Sequence, residues 1–291
     1  MRIVKLLVVC FLFVQVLVAQ KETPVKKVFF FAGQSNMDGR ADADKISDKD
    51  FKRLEAVKDR VQFYYNNQAV TPLQITTSSK GTQKKFNFTH AFGPELFFGI
   101  ELAEKYHNEE FIFIKRAKGG TSLYGAWNPN WNEAMAEKMN ELKVPKLYFD
   151  FVKYSHSVLD DLNSKSYEIC GMLWVQGETD SGKKRGPEPA EAYEENLTLL
   201  INSVRKEFKV KEMPFLIFQV GNGKVVQGMK NIATSDKNVE LITQSNNKKA
   251  ENYYPKNPAP LGHYVTESMK RIGVEFSNEY QTSFAAQYLS K

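Results

Sequence analysis

Val28-Phe29-Phe30-Phe31-Ala32-Gly33-Gln34-Ser35-Asn36-Met37 is an unbroken apolar run that ends in a glycine and then presents a serine. A strand with one wet face alternates apolar and polar residues, whereas an unbroken run has both faces covered, as in a parallel strand between two helix layers. Open α/β sheets hold their ligands at the carboxyl ends of such strands, so the stretch predicts a buried strand that delivers Ser35 to the sheet edge. A serine hydroxyl is a weak nucleophile without a base, and a serine after a strand is otherwise a turn or helix cap. Two questions follow: whether the chain continues as an α/β alternation, and whether a histidine is placed to take the Ser35 proton.

Working outward, three further apolar runs of strand length occur at Phe111 to Ile114, Ile169 to Val175 and Phe215 to Val220, with a weaker one at Val239 to Ile242. Helical stripes fill the gaps: Leu96, Ile100 and Ala103; Tyr148, Val152, Leu159 and Leu162; Tyr193, Leu197, Ile201, Val204 and Phe208; then Val265, Met269, Ile272 and Phe276. This alternation predicts an α/β fold with right-handed crossovers: a three-layer α/β/α sandwich around a mainly parallel sheet of about five strands. Asn66 to Phe88 and Gln244 to Gly262 are polar and read as long functional loops.

The first residues stand apart. Arg2 and Lys5 precede the apolar Leu6 to Ala19, and the polar Gln20-Lys21-Glu22 follows, the pattern of a signal peptide over residues 1–20 before one folded domain at 21–291. The expected location is secreted or periplasmic, with no stable membrane insertion after cleavage, since the run is short for a bilayer span. Removing that segment leaves Cys170 as the one cysteine, so no internal disulfide forms, and its strand-like surroundings predict a packing role. It also leaves 38 basic against 34 acidic residues, a net charge of +4, too mild to name a partner. The cluster Lys183-Lys184-Arg185 lacks interleaved aromatics, which argues against nucleic-acid binding. No clustered His, Cys and carboxylate set has ligand spacing, so neither metal nor other cofactor is expected. Nothing in the sequence indicates an oligomeric state.

Of four histidines, His156 shares a helical stripe, His107 ends a helix, and His90 precedes a predicted helix. His263 differs: it follows a long loop after the last strand and precedes the final amphipathic helix, a position suited to a catalytic base and equally to a histidine of no chemical duty.

These pieces resemble the SGNH hydrolase superfamily, specifically its sialate O-acetylesterase and carbohydrate esterase family 6 group. The matching stretches are Gly33-Gln34-Ser35-Asn36-Met37, Phe92-Gly93-Pro94-Glu95, Lys118-Gly119-Gly120-Thr121-Ser122, Trp174-Val175-Gln176-Gly177-Glu178-Thr179-Asp180, and His263 with Ile272-Gly273. The resemblance implies a flavodoxin-like sandwich with Ser35 as nucleophile and His263 as base. It also implies an oxyanion hole of the Ser35 and Gly120 N–H groups with the Gln176 side chain, donors fixed before charge develops.

One departure stands out. The family carries an aspartate three residues before the histidine, and here that position is Pro260. Three consequences are open: a Ser35/His263 dyad with a backbone carbonyl holding the ring, a substitute carboxylate from Glu178 or Asp180, or lost catalysis. Trp127 and Trp131, in the loop after Gly120, offer faces for a sugar ring or, equally, anchor that loop. The expected activity is a secreted carbohydrate acetylesterase that removes O-acetyl groups from a glycan or sialic acid. The alternatives are a catalytically impaired glycan-binding protein on the same scaffold, or an esterase for non-carbohydrate acyl groups.

Overall fold

The computed structural model describes residues 25–78, 80–162, 166–259 and 261–290. The expected signal peptide, Pro260 and the chain's last residue lie outside them. Six parallel strands form the centre: β1 (Lys26–Gly33), β2 (Val61–Tyr65), β3 (Phe111–Ala117), β4 (Tyr167–Val175), β5 (Phe215–Phe218) and β6 (Val239–Ile242). Their order is β6-β5-β4-β1-β3-β2, and Thr71–Pro72 adds an antiparallel edge beside β2, making seven strands. From β1 the chain runs to the outer β2, returns to β3 between them, and then crosses β1 to β4, β5 and β6, so the switch point of a doubly wound sheet lies at β1.

The six principal helices are α1 (Asp48–Val57), α2 (Pro94–Lys105), α3 (Leu147–Asp160), α4 (Tyr193–Glu207), α5 (Gly223–Ser235) and α6 (Thr266–Ser283). Successive residues of β1 show why its run is continuously apolar. Phe29 meets Phe98 of α2 at 5.1 Å and Tyr280 of α6 at 4.9 Å, while Phe30 meets Phe151 of α3 at 5.3 Å and Phe208, just past α4, at 4.6 Å. Each face of the strand has its own aromatic layer, and every residue from Val28 to Ala32 is fully buried. Cys170 is a buried free thiol packed in β4.

The sheet exceeds the expected five strands. In Val61-Gln62-Phe63-Tyr64-Tyr65, Val61 and Phe63 are buried while Gln62 is partly exposed, the alternation of a strand near the sheet edge rather than a continuous run. The polar stretch read as loop also carries structure: Thr76–Thr77 joins Ala41–Asp42 and His90–Phe92 in a small antiparallel sheet, and Lys80–Phe86 is a short helix. Among the described residues no helix is long and apolar enough to cross a membrane.

Candidate active site

The carboxyl ends of three strands align. Gly33 of β1 lies opposite Ala117 of β3 on one side and Val175 of β4 on the other, so the residues that follow each strand emerge at one edge. Gly33 has φ +148, and a Cβ there would sit 2.2 Å from the Val175 carbonyl oxygen, so only glycine fits. Gln34 N donates to that same carbonyl at 3.0 Å, and Ser35 opens the single helical turn Ser35–Asp38. A first-turn N–H has no partner within its helix and is free to meet a ligand.

From β3 the chain continues as Lys118-Gly119-Gly120. Lys118 N donates to Gly33 O at 3.2 Å, tying this loop to the strand that precedes Ser35. A Cβ on Gly119 would come within 3.3 Å of the Ser35 Cβ, so the loop packs directly on the serine. Gly120 has φ +74, and a Cβ there would point into open space.

Ser35, Gly120 and His263 line one cavity of about 530 Å³, together with Gln34, Arg40 and the Lys85-Phe86 end of the short helix. His263 is held from behind, where its carbonyl accepts from Asn257 N at 2.8 Å, and the neighbouring Tyr264 bridges to Lys256. Among the described residues no hydrogen bond joins the Ser35 hydroxyl to the ring in this conformation; catalytic contacts often tighten only with substrate in place.

The imidazole is unusual in its surroundings. Its Nδ1 is buried and, among the described residues, has no hydrogen-bond partner. Burial, reinforced by the Arg40, Lys256 and Lys85 charges and opposed weakly by the Leu261 backbone, pushes its pKa down to about 4.

Neither candidate acid reaches it. Asp180 is fully enclosed: its oxygens accept from Leu123 N at 3.0 Å, Tyr124 N at 2.9 Å and Gln176 Nε2 at 2.5 Å. Burial pushes its carboxyl up to about 7 against the pull of those donors. Glu178 accepts from Asn36 Nδ2 at 2.8 Å and pairs with Lys256 at 3.5 Å, and burial raises its pKa despite both. Each carboxylate therefore braces a neighbour of Ser35 or the glycine loop.

Gln176 is the side chain expected as the third oxyanion donor. It is fully buried and absent from the cavity wall, with its Nε2 turned to Asp180, to Thr121 O at 3.1 Å and to Gln34 Oε1 at 3.3 Å. Gln34 lines the wall instead, and its side-chain oxygen also accepts from Gly177 N at 3.3 Å and Thr179 N at 3.4 Å. Backbone donors identify that end as the oxygen, which leaves the amino group as the end not held by the strand turns. The position beside Ser35 in Gly33-Gln34-Ser35 was the one signal in the sequence that could have singled it out.

Glu141 was missed altogether. Buried near the same loop, it accepts from Ser122 N at 2.7 Å, the Ser122 hydroxyl at 2.8 Å and Ala126 N at 2.7 Å. Two enclosed carboxylates thus hold residues 122–126.

Trp127 does not face the cavity. It is fully buried, packs edge-on against Trp174 at 5.2 Å and donates to Thr121 Oγ1 at 3.2 Å, so it anchors the loop. Trp131 lies under the Lys146 ammonium at 3.8 Å and is likewise off the wall. His90 pairs with Asp44 at 2.7 Å and His156 with Glu207 at 2.9 Å, away from Ser35. Among the described residues no group of three or more His, Cys, Asp or Glu side chains is arranged to hold a metal ion.

A doubly wound sandwich that brings a serine, a glycine pair and a histidine to one cavity at its switch point has the architecture of an SGNH-type hydrolase. The chain belongs to the family of carbohydrate esterases described as sialic acid-specific acetylesterases, whose family model matches residues 25–282. No curated protein matches it. Solved structures of similar fold include a protein from Arabidopsis thaliana, 19% identical over 90% of this chain and 100% of that one, with a TM-score of 0.64. NanS is 12% identical over 89% of this chain and 98% of that one, with a TM-score of 0.59. A carbohydrate acetylesterase from Xanthomonas citri is 17% identical over 90% of this chain and 57% of that one, with a TM-score of 0.57. At these identities the likeness is one of fold.

Proposed function

We propose that this protein is a secreted or periplasmic carbohydrate acetylesterase that removes O-acetyl groups from a glycan or sialic acid through an acetyl-Ser35 intermediate. The observation that carries the reading is the shared cavity of Ser35, Gly120 and His263. His263 accepts the Ser35 proton as Oγ attacks the ester carbonyl, and the tetrahedral oxyanion is held by the Ser35 and Gly120 N–H groups and the Gln34 Nε2. Collapse expels the sugar oxygen, which takes the proton from His263 and leaves as the hydroxyl. Water, deprotonated by the same imidazole, then attacks the acetyl-enzyme, and acetic acid leaves as Ser35 Oγ takes that proton back from His263. Gln176 acts one step removed, by orienting Gln34 and Asp180.

A second reading, a glycan-binding protein with impaired catalysis, is favoured by the unpartnered His263 Nδ1. In serine proteases, replacing the triad acid by its amide costs roughly four orders of magnitude in turnover, so a dyad here is slow rather than inert. Acetate release from 4-nitrophenyl acetate and from O-acetylated sugars by wild type and Ser35→Ala separates the two. The esterase reading expects the variant to lose about a thousandfold or more. A wild type no faster than Ser35→Ala on every ester leaves only the binding reading.

A further inference from the structure

The cavity around Ser35 adjoins a second, of about 610 Å³, and Arg40, Thr82 and Gly119 line both. We propose that this second cavity is a subsite for the sugar unit next to the acetylated one, so that the preferred substrate is an acetylated oligosaccharide or polysaccharide rather than a free sugar. The proposal rests on the esterase reading above and specifies its substrate.

Size and chemistry both point this way. Each cavity falls within the roughly 300–1,000 Å³ of small-molecule sites, and their shared wall leaves room for two units joined across Arg40 and Gly119. The second wall mixes donors and acceptors, with Gln68, Thr76, Thr77 and Ser78 among its residues. A sugar hydroxyl both donates and accepts, and such a lining suits it. The two arginines on this wall are paired, Arg40 with Asp38 and Arg116 with Asp150, which leaves Lys118 as the remaining cation of the lining.

The wall is also held rigidly. Tyr65 donates its hydroxyl proton to Asp38 at 2.7 Å, and Asn66 Oδ1 accepts from Arg116 Nη1 and from Ala117 N, each at 3.0 Å. Asn66 and its neighbour Asn67 both sit in the left-handed region, at φ 48 and 61. They are the central residues of a tight turn closed by Gln68 N donating to Tyr65 O at 3.0 Å, a conformation asparagine tolerates, and the turn brings Asn66 and Gln68 to the groove beside the catalytic cavity.

The test measures kcat/KM on 4-nitrophenyl acetate and on two matched pairs. One pair is O-acetylated methyl xyloside against O-acetylated xylotriose, the other O-acetylated neuraminic acid against O-acetylated sialyllactose. Wild type is compared with Gln68→Trp and Thr77→Trp, which fill the second cavity from exposed positions outside the catalytic machinery. In at least one pair the longer substrate should be favoured by about tenfold or more, and each tryptophan should abolish that gain while leaving the short substrate and the nitrophenyl ester within about twofold. The proposal is overturned by equal rates within both pairs, by variants that keep the preference, or by variants that slow all substrates alike. Hydrolysis of the nitrophenyl ester with none of either pair also overturns it, whereas failure on every ester removes the esterase reading itself.

Discussion

The Phe86 ring meets the His263 imidazole edge-on, with centroids 5.3 Å apart and planes at 82°. In a serine triad a carboxylate orients the base and stabilises its cation; here an aromatic ring orients it, and the nearby charges are positive. The contact holds the ring while excluding water, which favours the neutral form. In the proposed mechanism neutral imidazole is the form that accepts a proton from Ser35, so that base would be available over a wide pH range but gain little when protonated.

The acid limb of kcat/KM should therefore fall near pH 4 rather than near the ordinary histidine value. Lys85→Ala removes one opposing charge and Phe86→Ala restores water, so each should shift the limb upward toward pH ~6.5. A pH–rate profile in constant ionic strength checks this, and a limb unmoved in both variants would remove His263 as the titrating base. The linkage to stability has a definite sign. Because the folded pKa lies below the unfolded one, the unfolded chain binds the extra proton, and this group's contribution to stability is lost as pH falls from about 6.5 to about 4.

Gln34→Ala should lower kcat by about 100- to 1,000-fold with a much smaller change in KM, the behaviour of a lost oxyanion donor. Gln176→Ala should lower activity too, but together with a fall in Tm, because it strips a hydrogen bond from the enclosed Asp180. Steady-state kinetics beside thermal melts distinguish the two. A Gln34→Ala enzyme with unchanged kcat would move the carboxamide role elsewhere.

Trp127→Ala should cost about 3–5 kcal/mol of stability, the range for a large aromatic removed from a packed core. Chemical denaturation measures this directly. A raised KM with unaltered stability would instead indicate a sugar-stacking surface, contrary to the burial of Trp127 against Trp174.

The parts of the fold legible in the sequence were those whose burial leaves a periodic trace. Val28 to Ala32 is apolar throughout because aromatic layers cover both faces, and the stripes of α2, α3, α4 and α6 repeat because one side of each helix packs on the sheet. Val61–Tyr65 escaped notice because a strand near the sheet edge alternates over only five residues, too short to stand out beside the loop that follows.

By itself the sequence determined the α/β alternation, the serine at a strand end, the glycines that let two backbones approach, and the histidine before the last helix. Only the tertiary structure decided that Gln34 rather than Gln176 lines the cavity, that Asp180, Glu178 and Glu141 brace loops and side chains around Ser35, and that His263 Nδ1 has no partner among the described residues. The physical reason is that periodicity records whether a residue is buried. Which donor meets which acceptor depends on contacts between segments as distant as Asn36 and Glu178, and the order of residues leaves that pairing unwritten.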